Sequence, residues 1–179
     1  ADGAIVTRCA DGVRIRQSLI PCATAAALAA DLMRGTNCVY YHRDDPPCTH
    51  VMACRSREIF FSLKKYPEQD DGLWNGVIQD GLDRRILAEG RDVVKMGMWF
   101  PIQEGFEGYE NLVRQKYPDV SFFRADDNVL EFTAAHTSKG TALQALAGEL
   151  GIPMEQTLAI GDNGNDVDMI RRAGVGVAM

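Results

Sequence analysis

The chain has 179 residues, 46% apolar and 25% charged, enough to bury a substantial core as one domain or two small ones. Its 25 Asp and Glu outnumber 19 Lys and Arg for a net charge of −6, and no basic stripe offsets the excess, which argues against a nucleic-acid or anionic-membrane partner. The uncharged run 19–30 falls short of the roughly twenty residues of a membrane span, and it lies too far from the N-terminus, without a basic flank, for a signal peptide.

Residues 4–7 and 13–16 read as the strands of a short hairpin that turns at Ala10-Asp11-Gly12. Residues 23–34 are Ala-rich and helical, with Gly35 as the stop. Strand character follows over 38–42 and 49–54, on either side of the breaker Asp45-Pro46-Pro47. Ser56 is placed to cap a short helix over 57–65. The stretch 67–90 carries no clear period, because Asp71-Gly72, Asn75-Gly76 and Asp80-Gly81 punctuate it. A strand is predicted over 92–99, a helix over 105–116, and strands over 120–123 and 129–132.

The five cysteines, Cys9, Cys22, Cys38, Cys48 and Cys54, are irregularly spaced. The one metal-like cluster, Cys48 with His50 and Cys54, lacks a second closely spaced pair, and strand alternation puts Cys48, His50, Met52 and Cys54 on one face. Reduced, buried thiols in a cytoplasmic protein are therefore expected rather than zinc ligands. Both ends fall inside strand-like segments, Ala4 onward and Val175 to Met179, which predicts an excerpt of a longer chain.

The last section changes character. Ser138 is placed to cap a helix running to Leu150, with Leu143, Leu146, Ala147 and Leu150 on one face and Gly151 as the stop. The strand 157–160 then delivers Gly161-Asp162-Asn163-Gly164-Asn165-Asp166, and a short helix over 166–173 follows. Helix, strand, loop, helix and strand form the tail of a doubly wound α/β fold, whose ligands bind at the carboxyl edge of the sheet. There Asp162 and Asp166 offer oxygen ligands to a hard cation, and the following helix start offers N–H groups to an anion. Lys139 opens the preceding helix, so the helix–strand unit can bring its ammonium to the same edge. Two unit charges 4 Å apart interact by roughly 4 kcal/mol at an effective dielectric of 20. Charge neutralisation of this kind is what phosphoryl transfer requires.

Ser138-Lys139-Gly140 preceded by Leu130-Glu131-Phe132, and Gly161-Asp162-Asn163-Gly164-Asn165-Asp166 followed by Met169-Ile170 and Ala173-Gly174-Val175-Gly176-Val177-Ala178-Met179, resemble the third and fourth motifs of the haloacid dehalogenase-like phosphatases, Cof-type branch with a class C2 cap. Ala1 to Val6 resembles the strand leading from core to cap, and Val93-Val94-Lys95-Met96 a cap strand. The likeness is specific over the last forty-odd residues and loose across 36–125. It implies a parallel, Rossmann-like core with an inserted α+β cap: residues 1–20 lead into the cap, 21–134 form it, and 135–179 are the C-terminal part of the core. By the same resemblance Lys139 stabilises the nucleophile and the phosphoryl charge. Asp162 ligates Mg²⁺, Asn165 binds substrate phosphate, and Asp166 supports the metal or orients Lys139. The implied substrates are small phosphorylated metabolites such as sugar phosphates, nucleotides or cofactor phosphates, turned over through an aspartyl-phosphate. Lys95, Trp74, Trp99 and Phe100 fit either the substrate side of the cap or its core; Asp168 reads as an exposed first-turn carboxylate, and no histidine is given a role.

The sequence departs from the family at the nucleophile. Asp-x-Asp-Gly-Thr after an N-terminal strand is absent, since Asp166-Val167-Asp168 is the only Asp-x-Asp and belongs to the fourth motif. The nucleophile is expected upstream of residue 1, and the 179 residues alone are expected to be inactive. Two other classes stay open: a non-catalytic phosphate-binding module, and the phosphorylation domain of a P-type cation pump, which carries a similar Gly-Asp-x-x-Asn-Asp loop.

Overall fold

In the computed structural model, which describes residues 2–35, 37–44, 50–63 and 77–179, the chain opens with an antiparallel hairpin of β1 (Ile5–Thr7) and β2 (Arg14–Gln17). The helix α1 (Cys22–Leu32) follows Pro21, whose fixed φ suits the residue at a helix entry. A six-stranded sheet comes next, built from β3 (Cys38–His42), β4 (His50–Cys54), β5 (Val77–Ile78), β6 (Lys95–Trp99), β7 (Val120–Asp126) and β8 (Val129–Ala134). Its order is β5-β4-β3-β6-β8-β7, antiparallel throughout except for the parallel β4–β5 edge. Three further helices belong to this layer: α2 (Arg57–Leu63), α3 (Leu82–Glu89) and α4 (Glu107–Lys116). The expected breaker Asp45-Pro46-Pro47, Cys48 and Trp74 lie outside the described residues, as does the end of the helix expected over 57–65.

Period-2 alternation splits the strand residues between two faces. Val39, Tyr41, Met96, Met98, Leu130 and Phe132 pack with α1 and α3 around Ile20, Leu28, Leu32 and Ile86, all 0–1% exposed. The opposite face is divided. Cys38, Tyr40, Met52 and Cys54 pack with Phe60 and Leu63 of α2, whereas Lys95 and Glu131 present polar groups from the neighbouring strands. A buried carboxylate ties two helices of the layer together: Asp31 of α1 takes hydrogen bonds from Lys116 Nζ at 2.5 Å and from the Tyr117 hydroxyl at 2.6 Å. Burial opposes its ionisation, and the Lys116 ammonium still holds it below the usual carboxylate range.

Two connecting segments lie side by side between this layer and the rest of the chain. The Thr137 hydroxyl donates to Ser18 Oγ at 2.9 Å, and Arg16 donates to the His136 carbonyl at 3.2 Å. Beyond them come α5 (Lys139–Glu149), β9 (Leu158–Gly161), α6 (Val167–Arg172) and β10 (Val175–Ala178), with β9 and β10 parallel. The α/β class is thus present in both of its expected forms, a parallel strand–helix–strand unit and a mixed α+β layer. Leu158, Ile160, Val175 and Val177 are in register on one face of the strand pair and are 40–61% exposed. Of the apolar face expected for α5, Ala147 is buried, but Leu150 is 59% exposed because it stands past the last helical residue, as the C-cap. Among the described residues no helix is long and apolar enough to cross a membrane.

Phe132 is wholly buried where β8 meets the helical face, so Phe132→Ala should cost about 3–5 kcal/mol of stability. Urea unfolding followed by circular dichroism measures the loss; a cost under about 1 kcal/mol would refute this account of the core.

Candidate active site

The carboxyl end of β9 carries Gly161, and a single 3₁₀ turn over Gly164–Asp166 connects it to α6. The turn folds the Asp166 side chain back under the loop. Its Oδ2 accepts from the N–H groups of Asp162 and Asn163, both at 3.1 Å, while Oδ1 pairs with Lys139 Nζ at 2.5 Å. Gly161 is what leaves room: a Cβ there would lie 2.3 Å from the Cβ of Asp166. Asp166 is 5% exposed, and the Lys139 ammonium, aided by the two amides and opposed by burial, holds its carboxyl below the ordinary value.

Lys139 reaches this loop because the start of α5 is closed by a reciprocal cap. Ser138 Oγ accepts from the Thr141 N–H at 3.0 Å, and Thr141 Oγ1 accepts from the Ser138 N–H at 3.1 Å. The ammonium donates to Asn165 Oδ1 at 3.2 Å as well as to Asp166, and the side chain remains 34% exposed. The structure thus brings Lys139, Asn165 and Asp166 together, with Asp162 exposed beside them on the same loop. The loop amides of Asp162, Asn163 and Gly164 are taken up within the loop itself, by Asp166 and the Asn163 side chain. One expectation needs correction. Asp168 is half-buried rather than solvated: it accepts from the Ser138 hydroxyl and from Arg172 Nε at 2.8 Å, clamping α6 onto the start of α5.

A second polar line runs from this loop into the six-stranded sheet. Asn165 Nδ2 donates to Asp2 Oδ1 at 2.9 Å, Asp2 Oδ2 pairs with Lys95 Nζ at 3.1 Å, and Lys95 pairs with Glu131 Oε1 at 2.7 Å. The Tyr40 hydroxyl donates to the same Glu131 oxygen at 2.8 Å. Tyr40 spans β6 to reach it, which only Gly97 allows, since a Cβ there would sit 2.2 Å from Tyr40 Cζ. Beside Tyr40, the rings of His42 and His50 lie 4.3 Å apart. Burial, with His50 and Lys95 adding repulsion, pushes His42 down to about 4, so its imidazole is neutral at pH 7. Of the side chains left between cap face and core, Lys95 joins this line, Phe100 is core and Trp99 packs beside the α2 cluster. Asp2, Glu131 and Tyr40 were given no role from sequence. Asp2 lies in the segment that resembles the strand leading from core to cap, and nothing local links it to a residue 163 positions away.

Asp162 and Asp166 are hard oxygen donors. Among the described residues no group of three or more His, Cys, Asp or Glu forms a metal-binding cluster. Mg²⁺ uses one or two carboxylates together with water and substrate phosphate, a donor set that the exposed Asp162 fits, whereas both oxygens of Asp166 are already taken by Lys139 and the loop amides. Cys9, Cys22, Cys38 and Cys54 are free thiols, Cys38 facing Cys54 across β3 and β4.

Comparison with known proteins identifies relatives in sequence and in fold. The haloacid dehalogenase-like hydrolase family model matches residues 32–179. The chain is 37% identical over 78 residues to the Bacillus subtilis phosphatase YwpJ, a stretch covering 44% of this chain and 26% of that protein. It is 50% identical over 42 residues to the phosphoglycolate phosphatase of Methanoculleus marisnigri, covering 24% and 18%. The matched stretches thus span well under half the length of these relatives. Among solved structures, the HAD subclass IIB sugar phosphatase BT4131 superposes with a TM-score of 0.75 at 20% identity, covering 99% of this chain and 62% of that one. A haloacid dehalogenase-like hydrolase from B. subtilis gives 0.75 at 21% identity, covering 100% and 67%.

Because the folded-state values of Asp166 and Asp2 are depressed, their contribution to stability is complete above the unfolded carboxylate value near 3.9 and is lost as pH falls through the lower folded values. The urea midpoint should therefore drop between pH 5 and pH 2, and Asp166→Asn should flatten that drop. An unchanged pH slope in the variant would show that Asp166 is not the group responsible.

Proposed function

The chain belongs to the haloacid dehalogenase-like hydrolases, and we propose that the protein carrying it is a Mg²⁺-dependent phosphatase of small phosphorylated metabolites. The carrying observation is that one ammonium, Lys139, is bonded both to the buried Asp166 and to Asn165, with Asp162 exposed on the same loop. In this reading Lys139 and the remaining N–H of Asn165 take phosphoryl oxygens. Asp162 holds Mg²⁺ with Asp166 behind it, and the ion, when bound, supplies further neutralisation of phosphoryl charge. Asp166 also fixes Lys139 in place, so the cation is positioned before substrate arrives.

The nucleophile is an aspartate that we place upstream of residue 1. Its carboxylate oxygen attacks phosphorus, and the ester oxygen leaves with a proton from a second aspartate. Water then cleaves the acyl phosphate, releasing orthophosphate and restoring the carboxylate. The exposed apolar face of β9 and β10 suits packing against a further layer of such a core. We assign residues 21–134 as the cap that selects the substrate and residues 1–20 and 135–179 to the core, with the two connecting segments at 16–18 and 136–137 as the passage between them. Free thiols and the acidic balance fit a cytoplasmic enzyme acting on a small metabolite, with neither nucleic acid nor membrane as partner.

The full-length protein should hydrolyse p-nitrophenyl phosphate with Mg²⁺ and stop on chelation. Lys139→Ala and Asp162→Ala should each lower kcat by about 100-fold or more. An alanine variant as active as the wild type would sink the site assignment.

A further inference from the structure

Asn165 is held by two neighbours of opposite kind. Its oxygen accepts from Lys139, so its amide nitrogen is the atom turned to Asp2, and one of the two amide hydrogens is spent there. The other hydrogen is the one left for a phosphoryl oxygen. A carboxylate so near a phosphate site would ordinarily repel the ligand. Here it does not stand alone: Asp2 is 11% exposed and paired with Lys95, which is 14% exposed and itself paired with Glu131. Lys95 and Glu131 belong to β6 and β8 of the six-stranded sheet. Asp2 adopts a left-handed backbone, φ 46°, uncommon outside Gly, Asn and Asp.

We propose that Asp2 is a positioning residue that fixes the Asn165 amide for phosphate, and that Lys95, supplied by the six-stranded layer and shared with Glu131, is the cation that holds the Asp2 carboxylate in place so that this acceptor can stand beside an anion. Phosphate affinity is thereby coupled to the seating of that layer on the site. The inference rests on Asn165 as a phosphate ligand, but its readout is binding, separate from turnover.

Orthophosphate affinity of the full-length protein, measured calorimetrically in Mg²⁺, tests it. Asp2→Gly keeps the backbone conformation and removes the acceptor. It should weaken orthophosphate at least about tenfold, although it also removes a negative charge, whereas Asp2→Asn, which keeps an acceptor oxygen, should stay within about threefold. In an Asn165→Ala background Asp2→Gly should add nothing. Lys95→Met should weaken binding about tenfold when Asp2 is present and little in the Asp2→Asn background. Tighter or unchanged binding in Asp2→Gly, or an equal Lys95→Met loss in both backgrounds, would overturn the proposal whether or not the wild-type protein turns over substrate.

Discussion

Burying a carboxylate is costly unless its charge is met by a cation and its lone pairs by donors. Asp166 meets both conditions, and much of the surrounding geometry follows from how it does so. Its two amide donors require the loop to wrap around it, which only a glycine at 161 leaves room for. Its cation requires Lys139 at the first turn of α5, and the Ser138–Thr141 cap fixes where that turn begins. Asp168, bonded to Ser138 and Arg172, holds α6 against the same helix start. In the proposed reading, a site for a phosphoryl group is thus already assembled around one internal anion, and little reorganisation remains when a ligand arrives.

The six-stranded layer joins the site through charge rather than through apolar packing. Donors and acceptors alternate from Tyr40 through Glu131, Lys95 and Asp2 to Asn165 and Lys139. Such a line is indifferent to the shape of an apolar interface but sensitive to distance. The opposite face of the sheet, with Met96, Met98, Leu130 and Phe132 against α1 and α3, provides the rigidity that keeps Lys95 and Glu131 on adjacent strands. Gly97 serves both ends: without a side chain it lets Tyr40 lie across β6 and hydrogen-bond Glu131 from the far side.

Several elements were legible because local signals agreed with tertiary demand. Ser138 caps its helix, residues 38–42 form a strand, and the Gly-Asp loop follows a strand and precedes a helix, all as the residue pattern predicts. The helix α3 was not legible. Gly81 and Gly90 bracket only eight residues, both glycines adopt left-handed backbone, and the burial of Leu82 and Ile86 emerges only when α1 lies beside them. Asp168 read as a solvent-facing helix residue because nothing nearby in the chain shows that Ser138 will stand against it. The amides of Asp162 and Asn163 are consumed by Asp166, a contact that depends on the side chain folding backward.

The chain's own residue order determined the chemistry of the site's centre: Lys139, Asp162, Asn165 and Asp166 lie in two short segments whose capping and turn residues act locally. It also determined the α/β class, because 3.6-residue and two-residue periodicities are properties of neighbouring positions. Tertiary structure alone decided that Asp2 stands beside Asn165, that Lys95 and Glu131 face the site, and that Tyr40 crosses a glycine to join them. Those contacts join residues up to 163 positions apart. Their partners are set by strand order and by how two layers meet, for which no local pattern carries information.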